Sequence, residues 1–268
     1  PWLAYPVGTD SMYYIWLVQN GEIIQDTIDN STSGGTIYVW AGTYEGDINI
    51  GKKLTLIGNG TSSTIINGTG GGDDVIDITA NGAYLSGFRV IAYDDGYGID
   101  LGGNNNTVND CKIGGPDDYA NEDAGVYVSG SNNTLSNSIV EMNEDYGILV
   151  PGSNNLIINN DVSCCVSLLI RVSGNNNQIT NNTADGGLDG NLEVSGNNNI
   201  ITGNTLKGSS EHGASGLKIS GSNNSATGNL IQNNKWGIRE TSFEDNNIVN
   251  NTISGNEGGI YRMNDDYI

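Results

Sequence analysis

The chain has 268 residues, with 31 Asp and Glu against 10 Lys and Arg and a formal net charge of −21. That acid excess argues against nucleic acid as a partner, since a phosphate backbone needs clustered cations, and no apolar run is long enough to span a membrane. Gly reaches 40 residues and the apolar share is 36%, a composition close to that of disordered chains, but apolar positions that recur in register are not expected of disorder.

Residues 1–20 read as an N-terminal extension opening at Pro1, as after loss of a leader segment. Within it Tyr13, Tyr14, Ile15, Trp16, Leu17 and Val18 form an apolar run with no obvious place in the later repeat. Two uses are open for it. It folds along the chain's own first coils, or it docks on a neighbouring copy as an added strand or end cover, giving head-to-tail self-association. Residues 22–30 read as a short amphipathic helix, with Ile24 and Ile28 four apart and Ile23 on the same side, where a solenoid needs a cap. The stretches 35–44 and 53–58 read as first, irregular coils.

Repetition is clear from about residue 80 to 260. Asn pairs recur at 105–106, 132–133, 154–155, 176–177, 198–199 and 223–224, with Asp245-Asn246 as a degenerate copy. Most steps are 22 residues; two insertions, at 114–123 and 207–214, lengthen the others. Aligned on the pair, two apolar columns emerge: Val108, Leu135, Ile157, Ile179, Ile201, Ala226, Ile248, and Ile113, Val140, Val162, Ala184, Leu206, Ile231, Ile253. A mostly Asn column lies between them, and a period-two strand closes each unit, as in Gly147-Ile148-Leu149-Val150. Twenty-two residues leave no room for a helix plus strands, but three short strands fit. The expected fold is therefore all-β: a parallel β-helix of about ten coils, residues 21–268 forming one domain. Stacked Asn amides are expected to bond the Asn above and below and to accept left-handed corners.

The runs Gly35-Thr36-Ile37-Tyr38-Val39, Ala41-Gly42-Thr43-Tyr44 and Leu54-Thr55-Leu56-Ile57-Gly58, with the Asn-pair units after them, resemble right-handed parallel β-helix proteins of the NosD-like (CASH) type, in the pectate-lyase-like superfamily. Acidic, Asn-rich versions are similar to archaeal surface proteins. The resemblance implies the fold. It covers enzymes of polysaccharides, phage tailspikes and surface proteins alike, so it implies no single activity.

The outward stripe of the regular strand reads Tyr127, Leu149, Arg171, Glu193, Lys218, Arg239. It is either a solubilising charge ladder or a glycan-binding surface. Tyr97, Tyr119, Tyr146 and Trp236 sit at or beside one acidic corner, as an aromatic row able to stack on sugar rings or to shield the turn. Acids at the same corner (Asp94, Asp95, Asp117, Asp118, Glu144, Asp145) could gather one calcium ion, which takes six to eight oxygens, or form a solvated edge. His212, the single histidine, falls in a loop insertion. The Asn-Thr-Asp motif, paired Asp-Asp and Arg-x-Lys of polygalacturonase-like enzymes are absent, so no residue is assigned a catalytic role. Cys111, Cys164 and Cys165 are expected as buried thiols. Of eight N-x-S/T sequons, Asn30, Asn59 and Asn67 lie outside the Asn ladder, and those in the ladder are expected to be buried. The end reads as uncapped and stopping partway through a coil, with 264–268 echoing 143–148. The expected function is an extracellular structural or adhesive protein, self-assembling into a filament or surface layer; the alternative is a polysaccharide-binding or polysaccharide-degrading protein.

Overall fold

The computed structural model describes residues 2–6, 12–68, 74–92, 96–115, 123–165, 167–211, 213–241 and 245–262, with backbone alone for 2–6 and 12–14. The described strands form three sheets, of twelve, ten and ten strands. Each regular coil gives one strand to each sheet: Thr134–Ser136 to the first, Ile139–Glu141 to the second, Tyr146–Val150 to the third. Equivalent residues pair in parallel one coil on, so the repeat of about 22 residues is one turn of a β-helix of about ten turns.

Both apolar columns read from the sequence are strand-paired from coil to coil. All of their members are fully buried except Ile248 and Ile253, which pack against the core from its last described coil. Burying each Ile, Leu or Val side chain contributes roughly 1.5–3 kcal/mol, so the three inward faces stabilise the stack.

The two residues of each Asn pair divide the corner between them. The first holds left-handed backbone, φ 57° at Asn105 and 62° at Asn154, and points to solvent. The second is buried. Its bonds differ from the amide-to-amide ladder expected: the Asn177 backbone N–H donates to Asn199 Oδ1 at 2.7 Å, and Asn177 Nδ2 donates to the Gly152 carbonyl at 3.0 Å. The side chain thus replaces the backbone partners that a bend removes. Amide-to-amide bonding does occur at the next corner, where Asn182 Nδ2 donates to Asn204 Oδ1 at 3.1 Å and to Ile157 O at 2.8 Å. A third ladder, unexpected from the sequence, runs through Asn234 and Asn256.

The division also corrects the glycosylation reading. The repeat sequons start at the first, exposed Asn (Asn105, Asn132, Asn223), and those at Asn181 and Asn250 are exposed as well. Of the three favoured sites, Asn30 and Asn59 are exposed, whereas Asn67 is half-buried and its Nδ2 donates to Glu45 Oε2 at 2.7 Å.

At the N-terminus the helix spans Ile24–Asn30 and buries Ile24 and Ile28 in the core. Ile23 is not on that face; it is extended at the helix start and 60% exposed. Of the two uses open for the run at 13–18, the structure shows the first, pairing along its own chain. Strand Met12–Val18 pairs antiparallel with Trp2–Pro6 on one edge and parallel with Thr36–Val39 on the other. Val18 is fully buried and Trp16 packs on the core. Ile15 and Trp16 are thus paired on both edges, Tyr13 and Tyr14 on the Trp2–Pro6 side and Leu17 and Val18 on the Thr36–Val39 side.

The tail read as breaking off partway through a coil, 264–268, lies outside the described residues. Before it, Asn247–Val249, Thr252–Ser254 and Gly258–Arg262 give the last described coil a strand in each sheet. An inward column of Val150, Val172, Val194 and Ile219 ends at Glu240. Glu240 is 7% exposed, and it accepts from Asn246 Nδ2 at 3.1 Å and pairs with Arg262 Nε at 2.7 Å.

Candidate functional site

The outward column of the third sheet is longer than the sequence stripe. In register it reads Asn49, Asp77, Asp100, Tyr127, Leu149, Arg171, Glu193, Lys218, Arg239, Tyr261. Neighbours are one coil apart, about 4.8 Å. The first three were missed because alignment began at the Asn pair of residue 105. Val75-Ile76-Asp77-Ile78 and Gly98-Ile99-Asp100-Leu101 carry the same apolar–variable–apolar signal.

The predicted aromatic row is broken. Tyr97, Tyr146 and Trp236 share a column, but Ala124, Leu168, Gly190 and Ser215 interrupt it, and Tyr119 lies outside the described residues. Instead, each aromatic meets the stripe residue of the following coil. Tyr97 stacks on Tyr127 with centroids 4.3 Å apart and planes at 11°. Tyr146 lies under Arg171, whose Cζ is 5.7 Å from the ring centroid and whose Nη1 donates to the phenol oxygen at 3.0 Å. Trp236 tilts against Tyr261 at 5.6 Å. Three aromatic units therefore stand along one face, each fixed by a ring or guanidinium.

Charge divides this face. At the far end Lys218 Nζ pairs with Glu193 at 3.1 Å, and Arg239 Nη1 donates to Gly213 O at 2.7 Å. At the near end Asn49 Nδ2 donates to Asp77 Oδ2 at 3.1 Å, and Asp74 Oδ1 accepts from the Tyr97 backbone N–H at 2.8 Å. A cleft of about 400 Å³ opens there, between Gln25 of the helix and Asp47, Asn49, Asp74 and Asp77. Burial, then the charges of Asp74 and Asp77, push the Asp100 carboxyl up to about 6. Burial and Asp74 raise Asp77. Burial, with Tyr127 and nearby carboxylates, pushes the Tyr97 phenol to about 12.

A pH dependence follows. The folded chain holds a proton on Asp100 that the unfolded chain releases near the ordinary value of 3.8. Stability therefore declines as pH rises from that value through about 6. Asp100→Asn is expected to remove the decline, gaining about 1–2 kcal/mol at neutral pH, the full shift being discounted for partial solvation. Melting temperature against pH reads it: the curves of variant and wild type converge in acid, part as pH rises above 3.8 and reach full separation above about 6.

Of the residues expected to gather calcium, Asp94, Asp95, Asp117 and Asp118 lie outside the described residues, as does His212. Glu144 and Asp145 sit in the turn before Tyr146–Val150. Among the described residues no three His, Cys, Asp or Glu side chains are grouped to hold a metal ion. Cys111 and Cys165 are buried as expected, with thiols pushed up to about 12 and about 11 by burial. Cys164 is exposed, because its left-handed corner backbone turns the side chain outward.

Residues 56–213 match the family described as right handed beta helix region. The chain belongs to the right-handed β-helix family. Residues 165–265 also match the periplasmic copper-binding protein family NosD, so this β-helix protein is NosD-like. No curated protein sequence matches it. Among solved structures it is similar to the A-module of the Azotobacter vinelandii mannuronan C-5 epimerase AlgE6, at 16% identity and TM-score 0.58, covering 89% of this chain and 90% of that one. An alginate lyase from Paenibacillus sp. gives 15% identity and TM-score 0.66 over 93% of this chain and 98% of that one. The enzymatically active domain of bacteriophage CBA120 tailspike protein 2 gives 13% identity and TM-score 0.75 over 90% of this chain, which spans 43% of that one. At these identities the likeness concerns the fold. For the copper that the NosD description names, the suitable soft donors are thiolate and thioether sulfurs; among the described residues of the matched segment the one such sulfur is that of Cys165, which is buried. No described helix is long and apolar enough to cross a membrane.

Proposed function

We propose that the chain is an adhesive protein working outside the cytoplasm, which binds an elongated acidic polysaccharide along the outward face of the third sheet. The observation that carries the reading is the repeated aromatic unit: Tyr97–Tyr127, Tyr146–Arg171 and Trp236–Tyr261 on one face, at one offset. Flat rings offer the apolar faces of sugars a platform. Arg171, Lys218 and Arg239 gather three of the chain's ten cations beside Glu193 on a strongly acidic molecule, so that half of the face suits carboxylated sugars. Relatives in shape that act on mannuronan, alginate and pectin support this choice, as does the periplasmic description of NosD for location.

Electrophoresis through gels containing acidic or neutral polysaccharides tests it. Retardation by an acidic polymer, weakened by salt, is the expected result; migration unchanged in every gel contradicts it.

A second reading has one observation in its favour. Asp77 and Asp100 face each other on adjacent strands, and Asp100 holds its proton to about pH 6, as a general acid does. New reducing ends on the bound polymer, lost in Asp100→Asn, would make the protein a cleaving enzyme; a bound polymer left intact supports adhesion alone.

A further inference from the structure

The first sheet carries an apolar hollow that the stack leaves open. Leu17, Tyr38 and Ile57 pair in register one coil apart, and Trp40 stands just past the strand Thr36–Val39. Together with Asn59 they line a space of about 330 Å³, near the small end of the range for ligand sites, about 300–1,000 Å³. Tyr38 and Trp40 are 42% and 57% exposed, and clustered exposed apolar side chains mark a contact site. The rim says what the contact is. Asn59 opens the sequon Asn59-Gly60-Thr61, in the turn between Thr55–Gly58 and Thr64–Asn67. Its backbone is fixed: the N–H donates to Thr64 Oγ1 at 2.8 Å, and the carbonyl accepts from Ser63 Oγ at 2.7 Å. Its side chain is exposed and, among the described residues, has no hydrogen-bond partner. The other sequons differ. Asn30 Nδ2 donates to Asp26 O at 2.8 Å, and Asn67 Nδ2 to Glu45. Asn105, Asn132, Asn181, Asn223 and Asn250 sit at left-handed corners, each with its Ser or Thr held in a strand. Asn59 combines a free amide, a hydroxyl residue in a turn and an apolar hollow alongside.

We propose that Asn59 carries an N-linked glycan whose first sugars lie in this hollow, against the rings of Tyr38 and Trp40. Transfer joins Asn59 Nδ2 to the anomeric carbon of a sugar activated on a lipid phosphate. The bond from that carbon to the phosphate oxygen breaks, one amide proton is released, and nothing is oxidised or reduced. A free sugar holds weakly to a shallow aromatic surface. A sugar tethered at Asn59 has a high effective concentration there, so the hollow fills without high intrinsic affinity. The sugar turns an apolar ring face to the aromatics and its hydroxyls to water, which covers the exposed patch with a polar surface. The proposal uses the location outside the cytoplasm argued above, since sequons are modified in exported chains, but it uses no residue of the polysaccharide face.

The test is secretion of the full chain from a host that glycosylates asparagine, followed by peptide mass mapping and acrylamide quenching of tryptophan fluorescence. Expected is a glycan at Asn59, lost in Asn59→Gln and in Thr61→Ala and kept in Thr61→Ser. The glycosylated chain is quenched less than Asn59→Gln, and a Trp40→Phe background abolishes that difference. A glycan that merely projects into solvent leaves Trp40 as open as before, so quenching separates docking from attachment. Asn59 found unmodified, quenching equal with and without the glycan, or a difference that persists in Trp40→Phe overturns the proposal. None of these results alters retardation by an acidic polysaccharide, so the two readings fail separately.

Discussion

Asn182→Ala is expected to cost about 3–5 kcal/mol of folding stability, far beyond the typical effect of about 1 kcal/mol for a point substitution. Asn182 Oδ1 accepts from both the backbone N–H and the Nδ2 of Asn160, and its own Nδ2 donates to Ile157 O and Asn204 Oδ1. All of these groups are buried. Truncation strands the Asn160 N–H and the Ile157 carbonyl away from water, at about 1–3 kcal/mol each, and leaves a small cavity. Chemical denaturation reads the loss. Asn159→Ala is the comparison: Asn159 is the exposed corner residue of the previous coil, with φ 57° and a 3.3 Å bond to the Asn137 side chain, and it should cost about 1–2 kcal/mol through backbone conformation.

Gly174→Ala is expected to cost at least about 3 kcal/mol, by overpacking that cannot relax. A Cβ at Gly174 falls inside the carbonyl oxygen of Gly152, with Pro151 O 2.7 Å away. The obstacle is backbone held in the stack, since the Gly174 N–H itself bonds to Val150 O at 3.1 Å. Gly130, Gly152, Gly196 and Gly221 stand in the same relation to the coil before. Gly186 is different: a Cβ there meets nothing within 4 Å, and its constraint is a φ of 89°. Gly186→Asn should therefore shift stability by only about 1 kcal/mol. Thermal unfolding of the two variants separates close packing from conformation.

The stack was legible because its signal repeats. Each Ile, Val or Leu column is reinforced by every coil, and register follows once one pair is aligned. Corner chemistry was half legible. Asn composition pointed to corners, but only the folded chain separates the exposed first Asn from the buried second, and that difference adds the repeat sequons to those that face solvent. Contacts between coils were not legible. Tyr97 and Tyr127 are neighbours through an offset that crosses the insertion at 114–123, and no sequence period carries it. The run at 13–18 stayed open between two uses for a related reason. Its strand pairs antiparallel with Trp2–Pro6, so it sits outside the phase of the repeat and looks unplaced. Cys164 was misread because apolar character argued for burial, while its corner position decides exposure.

The central claim is that one face out of three contacts the polysaccharide. Equilibrium affinity for the retarding polymer, measured across matched alanine substitutions, tests this most directly. Tyr127→Ala and Arg171→Ala on the third sheet should each weaken binding about tenfold or more, on the order of 1.4 kcal/mol. Thr183→Ala and Thr205→Ala, outward on the second sheet, should leave affinity unchanged. Equal losses from both faces, or no loss from Tyr127 and Arg171, would contradict the account.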